Sequence, residues 1–489
     1  MTVAREPRTE FPADLAGIAG TPGVAGTTDF TGPADIAGTT DFTGTADIAG
    51  TADITGPADI SGTAGIADTG IAGTAGRHRR APEDKAAYRE VFAIGEFRAL
   101  WTAQVLSYAG DQFAQVAIAI LVYGKTRSPF LTALAYALSY LPPIAGGPLL
   151  SGLADLFPRR RVMIVCDLIR VGTVALMALP GVPFSLLCVL LFCTVLIGAP
   201  FNSARTALMP DVLPGDTFVL GSAIGNITFQ ASQIVGFVAG AAVVATLGTH
   251  RTLAVDAVSF LLSALIVTFG VRARRSPRHD GDRRPSLWAI SADGVRIVFG
   301  NPVLRTLLLF GWLAGFAIVP EGLAAPYAHS LHRGALAVGL MMAAMPLGMV
   351  VGVFLFGKLA LPSARMRMMG WLAMLYCGPL IASVWNPPLP VVLAAWVLAG
   401  AGGAYQLAAA AAFVQALAPD TRARAFGVAQ SGLYAVQGLG ILLGGAVAEV
   451  IGPTLTVGLA GLAGLTAATM LAMTWTRLRG RAIAAQRGD

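Results

Sequence analysis

The stretch FLTALAYALSYLPPIAGGPLLSGLADLFPRRR, Phe130 to Arg161, decides the fold. It opens with an apolar run long enough to cross about 30 Å of hydrocarbon as a helix. It closes on Arg159, Arg160 and Arg161, the mark of a loop on the cytoplasmic side of a membrane. The same grammar repeats outward in both directions. Apolar segments are expected at about Leu100–Tyr123, Phe130–Leu153, Val162–Leu179, Phe184–Phe201, Phe218–Leu247 and Leu253–Val271. After a break they resume at Val303–Tyr327, Ala335–Phe356, Met366–Val384, Leu389–Leu417, Phe426–Val450 and Thr454–Met473. The expected fold is therefore an all-α polytopic membrane protein, with twelve transmembrane helices in two six-helix groups.

Charge placement orients these segments. Arginines cluster after the second, fourth, sixth, eighth and tenth segments (Arg159–Arg161, Arg205, Arg272–Arg284, Arg365 and Arg367, Arg422 and Arg424) and in the tail from Arg477. The opposite connections hold only Lys125, Arg127, Arg251 and Arg333. Both termini and the middle loop are expected in the cytoplasm of a cell-membrane protein. Composition agrees: 55% of the 489 residues are hydrophobic and 12% charged, about half the charge of a soluble domain. The net charge of +7 reads as topology and lipid contact, not nucleic acid. Cys166, Cys188, Cys193 and Cys377 lie in apolar runs and read as free thiols.

Five parts are expected. Residues 1–92 form a disordered, low-complexity tail of repeated hexapeptides (GTTDFT, GPADIA, GTADIT) with a basic end. One apolar residue per hexad cannot offset an ordering cost of about 1–2 kcal/mol per residue. Residues 93–272 form the first six-helix bundle and 273–301 a cytoplasmic linker. In that linker Leu287, Ile290, Ile297 and Val298 could line one face of a short helix on the inner leaflet; the expected role is a hinge between the two bundles. Residues 302–477 form the second bundle and 478–489 a cytoplasmic tail. The halves echo each other: Ala207-Leu-Met-Pro-Asp211 and Ala416-Leu-Ala-Pro-Asp420, Gly236 and Gly440, Pro142 and Pro346. Such repetition suits a transporter whose two bundles are pseudo-symmetric about a midplane site.

The loop Ser151-Gly-Leu-Ala-Asp155-Leu-Phe-Pro158-Arg159-Arg160-Arg161 resembles the signature G-x-L-a-D-r-x-G-r-[RK] of the major facilitator superfamily. Leu153, Ala154, Asp155, Arg159 and Arg160 match in register. Ser151, Leu156 and Pro158 stand where the pattern has Gly, Arg and Gly. With Ser107-Tyr-Ala-Gly-Asp111, Thr126-Arg-Ser-Pro129 and Asp167-Leu-Ile-Arg170, the chain is similar to the drug:proton antiporter branch related to macrolide and siderophore exporters. The resemblance implies a gate of Gly152, Asp155, Arg159, Arg160 and Arg161, with Asp155 latching the cytoplasmic side against the eleventh helix. A plain positive-inside loop is the alternative.

Asp111 is the leading functional residue. It lies near the middle of the first segment, where a carboxylate costs at least about 2.5–3.5 kcal/mol. A carboxyl escapes that cost by taking up a proton, and a group charged when wet and neutral when dry couples protons to alternating access. The alternative is a static ion pair with Arg170 or Arg305. Glu321, after Pro320, is a second candidate proton or substrate site facing the central cavity toward the outside; an interfacial acid near water is the alternative. Asp256 is expected to be interfacial or an ion-pair partner near the outer end of the sixth segment. Asp167 and Arg170, one turn apart, are expected to pair. Gln112, Asn226, Gln230, Gln430 and Gln437 are candidates for the substrate cavity, although helix–helix hydrogen bonding explains such amides as well. Trp101, Trp371, Trp385 and Trp475 read as interfacial anchors.

Gly124-Lys-Thr126 is not a phosphate loop, because Ala119 takes the place of its first Gly. The five histidines (78, 250, 279, 329, 332) form no metal pattern. The expected function is export of an amphipathic small molecule by proton antiport, without cofactor, metal or catalytic step, by a monomer in contact with membrane lipids. A facilitator importing a metabolite is the alternative within the class; a membrane-embedded enzyme or a receptor is the alternative outside it.

Overall fold

The computed structural model describes residues 88–144, 146, 156–274, 287–359 and 362–487. The hexapeptide tail, Gly152, Asp155 and residues 275–286 of the linker lie outside the described residues. Every regular element among those described is helical. In chain order they are α1 (Gly95–Thr126), α2 (Pro129–Ala137), α3 (Arg159–Met177), α4 (Phe184–Val212), α5 (Asp216–Leu247) and α6 (Thr249–Gly270). Then come α7 (Leu287–Gly300), α8 (Pro302–Trp312), α9 (Ala314–Ala317), α10 (Val319–Gly322), α11 (Ala324–Ser330), α12 (Ala335–Leu359) and α13 (Pro362–Cys377). A 3-10 stretch at Gly378–Trp385 leads to α14 (Leu389–Gly402), α15 (Tyr405–Gln415), α16 (Arg422–Ile451) and α17 (Pro453–Arg487).

Among the described residues, 10 helical stretches are long and apolar enough to cross a membrane. They match every expected segment except the second, described only in part, and the third. The third segment is the 19-residue α3, whose Arg159–Arg161, Asp167 and Arg170 make it the most polar of the set. Large apolar side chains cover the outside of the helices: Phe269 and Val450 are each 84% exposed. A water-soluble surface would not carry so continuous an apolar belt; facing lipid, it costs nothing. The protein is a multi-pass membrane protein.

Local chemistry sets the helix ends. Ser128 caps α2, its Oγ accepting from the Leu131 amide at 3.1 Å, with Pro129 in the first helical position. Asn301 caps α8 in the same way, its Oδ1 accepting from the Val303 amide at 2.9 Å, again followed by proline. Gly248 and Gly452 end α5 and α16 with φ of 82° and 87°, and the next helix starts at once. At each junction a threonine hydroxyl, Thr252 or Thr456, donates back to that glycine's carbonyl at 2.8 Å. The spacing from 248 to 452 is the spacing from 236 to 440 and from 142 to 346, so the sequence echo extends to backbone geometry.

The seventh segment departs from the expected single helix. From Pro302 to Ser330 the chain is broken into α8, α9, α10 and α11, with Pro320 and Pro326 inside. Each proline removes an amide donor and crowds the carbonyl four residues earlier. The fourth and eighth helices tolerate Pro200 and Pro346 without a break. The tenth segment divides between α14 and α15 at Gly403 and Ala404.

Two packed groups of helices result. One holds α1 and α3–α6; the other holds α8–α17, with α12 against α14 and α17 against α13. They meet mainly through α5 against α12 and α2 against α16. Glycines permit the closest approaches: a Cβ on Gly348 or Gly352 of α12 would overlap the backbone of Val397 or Ala401 in α14. The linker helix α7 packs on protein. Val298 is fully buried, and Gly294 sits on Arg424 and Val428 at the start of α16. Trp371 and Trp385 are exposed as expected of anchors, but Trp475 is buried, donating to the Met366 carbonyl at 3.0 Å.

Candidate functional site

A cavity of about 400 Å³ lies between the two groups, lined by α1, α3–α6, α9, α10, α12, α13, α15 and α16 and by residues 135–143. Three carboxylates and one guanidinium line it: Asp111, Asp256, Glu321 and Arg170. On the first group's side Arg170 is the centre. Its Nη2 donates to Asp111 Oδ1 at 2.8 Å and its Nη1 to Ser107 Oγ at 3.2 Å. The Phe260 ring lies 4.0 Å from its Cζ, a cation–π contact that helps hold a charge in an apolar setting.

The pair expected between Asp167 and Arg170 is therefore not the one formed. Asp167 Oδ2 instead accepts from Ser263 Oγ of α6 at 2.6 Å. One turn of helix makes the two residues neighbours, but neighbouring helices offer each a better directed partner. The guanidinium is drawn to the more central carboxylate of α1 and the carboxylate to a hydroxyl of α6. Asp111 stands as the partner of Arg170, not of Arg305.

Of the two expectations for Asp256, the surroundings favour the ion-pair partner. It is 1% exposed, and its Oδ1 accepts from Ser259 Oγ at 3.2 Å. The helix starts at Thr249, so Asp256 lies two turns inside it. It faces α1 at Gly110, where a Cβ would collide with Asp256 and Ser259. Asp256, Asp167 and Asp111 all act electrostatically on Arg170. Sequence reading did not name Arg170 as the cation that Asp256 meets. The signal was present: Asp256, Ser259, Phe260 and Ser263 share one face of a 3.6-residue helix.

Across the cavity, Glu321 lies on the broken seventh segment and lines the cavity, as expected. The Tyr136 hydroxyl of α2 donates to its Oε2 at 2.8 Å. Gln112, Gln230, Gln430 and Gln437 also line the cavity; Asn226 does not. Asn226 is exposed and sits one turn of α5, about 6 Å, before Gln230. Gln112 is buried, and its Oε1 has no hydrogen-bond partner among the described residues.

Polar ties mark the two faces of the molecule. On the face that carries Gly95 and Arg422, Arg159 donates to Asp211 Oδ2 at 2.8 Å, and Arg160 bonds the Thr268 carbonyl. Arg274 pairs with Glu96, and Arg424 with Asp293. Arg161 is exposed. The Arg159, Arg160 and Arg274 bonds join ends of helices of the first group. On the opposite face His250 bonds the Ala178 carbonyl at 3.1 Å within the first group, and two further ties cross between groups. Glu449 Oε2, at the end of α16, accepts from Ser128 Oγ at 2.8 Å and from the Phe130 amide at 3.0 Å. Arg127 bonds His329, whose ring lies edge-on to Tyr123.

A cavity between two helix groups of a membrane protein, lined by charge and amides, suits a carrier. The chain is a member of the Major Facilitator Superfamily, whose family model matches residues 100–320 and 321–488, and it is a transporter-family protein rather than an enzyme. It is 26% identical over 366 residues to the multidrug efflux pump Tap of Mycobacterium tuberculosis, covering 72% of this chain and 86% of that one. It is 26% identical over 234 residues to macrolide efflux protein A of Streptococcus pyogenes, covering 46% and 56%. Among solved structures, a POT family transporter in complex with 5-aminolevulinic acid aligns with a TM-score of 0.61 at 10% identity, over 79% of this chain and 96% of that one. The nucleoside transporter NupG aligns at 0.55 and 16%, over 78% and 98%. At these identities the structural likeness speaks to fold.

Proposed function

We propose that the protein exports an amphipathic small molecule across the cytoplasmic membrane in exchange for protons. Twelve spans would form two pseudo-symmetric six-helix bundles, residues 93–272 and 302–477, that rock about the cavity. Both termini would face the cytoplasm. The observation that carries this reading is the charged cavity between the two helix groups. The names of the efflux relatives support it, as does the echo of Gly236, Gly248 and Thr252 in Gly440, Gly452 and Thr456. With the termini inside, Glu449 and His329 would tie the two groups together on the outer face.

Asp111 is the proton carrier in this scheme. Ionised, it neutralises Arg170; protonated, it releases the guanidinium to Asp167 and Asp256, which already act on it. Proton uptake then moves a buried cation between carboxylates instead of leaving it unpaired, a change in pairing that two bundle positions can read differently. Gly152, Asp155, Arg159, Arg160 and Arg161 would close the cytoplasmic side in the outward-facing state. Arg159 and Arg160 already clamp helix ends of the first bundle, which suits a rigid gate.

Everted vesicles with an imposed pH gradient test the scheme. Wild type is expected to show gradient-driven uptake of a fluorescent amphiphilic dye, and Asp111→Asn to lose most of the gradient dependence while still exchanging dye down its own gradient. Equal gradient-driven flux in the two would remove Asp111 from coupling.

A further inference from the structure

Arg170 is held from two sides. Its Nη1 and Nη2 donate to Ser107 and Asp111, one turn apart on α1, while its Nε has no hydrogen-bond partner among the described residues. From α6 the Phe260 ring lies 4.0 Å from its Cζ. Ring and guanidinium are both buried, and a cation–π contact gains strength when water is kept from it. The approach of α6 depends on Gly110, the residue before Asp111, where a Cβ would collide with Asp256 and Ser259. On α6 the ring stands between the stations of two rival acids. Asp256 lies one turn before it, and Ser263, which holds Asp167, about one turn after it. Asp111, Asp167 and Asp256 all attract the guanidinium. Of its other neighbours, the Cys166 thiol shares its helix, α4 brings the uncharged Gly198, and Glu321 stands on the second group's side of the cavity. Turning to either rival acid takes the cation about 4–6 Å along α6, off the centre of a ring whose attraction is confined to about 6 Å. Charge alone gives Arg170 three directions; the ring favours the one in which it meets Asp111.

We infer that Phe260 is a positioning residue of the coupling step: its ring keeps the Arg170 guanidinium on Asp111 and so sets the pH at which Asp111 takes up its proton. The inference rests on the proton-antiport reading and adds a residue to it. A guanidinium held on Asp111 favours the ionised carboxylate over the acid. Weakening the ring's attraction frees Arg170 to move along α6 toward Asp256 or Asp167. Asp111 then keeps its proton to a higher pH, and its titration moves to the alkaline side. Phe260 touches neither the cavity acids of the second group nor a transported molecule; it acts through Arg170.

The test is an infrared titration of the purified full-length chain in lipid nanodiscs, following the C=O stretch of protonated carboxyl groups as the pH is raised. The component that Asp111→Asn removes reports Asp111. In Phe260→Leu its midpoint is expected to rise by about half to one pH unit. A second series keeps the shape of the side chain: phenylalanines carrying one, two or three ring fluorines at position 260, which weaken the negative face of the ring step by step. The midpoint is expected to climb in that order, and this series holds the test open even where Phe260→Leu fails to fold. A midpoint that belongs to Asp111 but stays put along the fluorine series overturns the inference alone, whether or not Phe260→Leu moves it, because the ring is then only a spacer. A titration with no component lost in Asp111→Asn overturns the coupling role of Asp111, and this inference with it. No flux is measured, so the result does not depend on which molecule is carried.

Discussion

At the scale of single residues, Arg170 is the group on which the buried charge depends. Its side chain is 7% exposed and faces Asp111 directly, with Asp167 and Asp256 also acting on it. Removing it leaves acids without their cation, whereas removing the Asp111 charge leaves two others beside the guanidinium. Arg170→Met should therefore destabilise the protein by about 3 kcal/mol or more, and Asp111→Asn by clearly less. Thermal unfolding in detergent checks the order. The double variant should be more stable than Arg170→Met alone, since the two changes touch one pair. The residue scale is also where sequence reading was least complete. Asp111 and Glu321 stood out because acids in apolar runs are rare and costly. The partner of Arg170 stayed open between Asp111 and Asp167, because helical spacing offered Asp167 as well and said nothing of how α1 and α3 approach.

At the scale of elements, the two junctions α5–Gly248–α6 and α16–Gly452–α17 are the firmest structural sign of an internal repeat. Both glycines have ψ near 160° at positive φ (166° and 159°), a region that side chains enter only at a cost of about 1–3 kcal/mol. Gly248→Ala and Gly452→Ala should each destabilise by that amount. Gly357→Ala should be neutral or slightly stabilising, because Gly357 lies in helical conformation within α12 with open space around it. Unfolding midpoints of the three variants decide this; equal effects would mean the junctions are not strained. The broken α8–α11 segment belongs to this scale too. Its prolines were visible in the sequence, yet Pro200 and Pro346 leave their helices whole. What differs is packing: Gly315 and Gly322 press against Val436 and Ile441 of α16, so the interrupted chain is held from outside.

At the scale of the whole molecule, among the described residues, the Arg159, Arg160 and Arg274 bonds tie helix ends of the first group on the face of Gly95, and Arg424–Asp293 ties the linker to α16 there. On the face of Glu449 the bonds of Ser128 and Arg127 to Glu449 and His329 cross between groups. If the arginine alternation gives the orientation, a cysteine at Arg161 in a cysteine-free background should react with an impermeant maleimide only in everted vesicles. A cysteine at His332, exposed beyond α11, should react only on intact cells. Labelling of both from one side would invert or break the topology. The replaced cysteines, Cys166, Cys188, Cys193 and Cys377, are all free thiols, so no disulfide is lost.

Segment length, apolar composition and the placement of arginine were enough to give a helical membrane protein, and the resemblance of the loop Ser151 to Arg161 pointed to the family. Each of these is a one-dimensional property, because a bilayer has fixed thickness and a helix satisfies its own backbone. The sequence also marked which acids were out of place. Which cation meets which carboxylate, that Asp256 joins the cluster, that Asn226 stands outside the cavity and that Trp475 is buried were decided only by tertiary structure. Those outcomes depend on the rotation and depth of one helix against another, set by side-chain packing between segments more than a hundred residues apart for which local spacing carries no information.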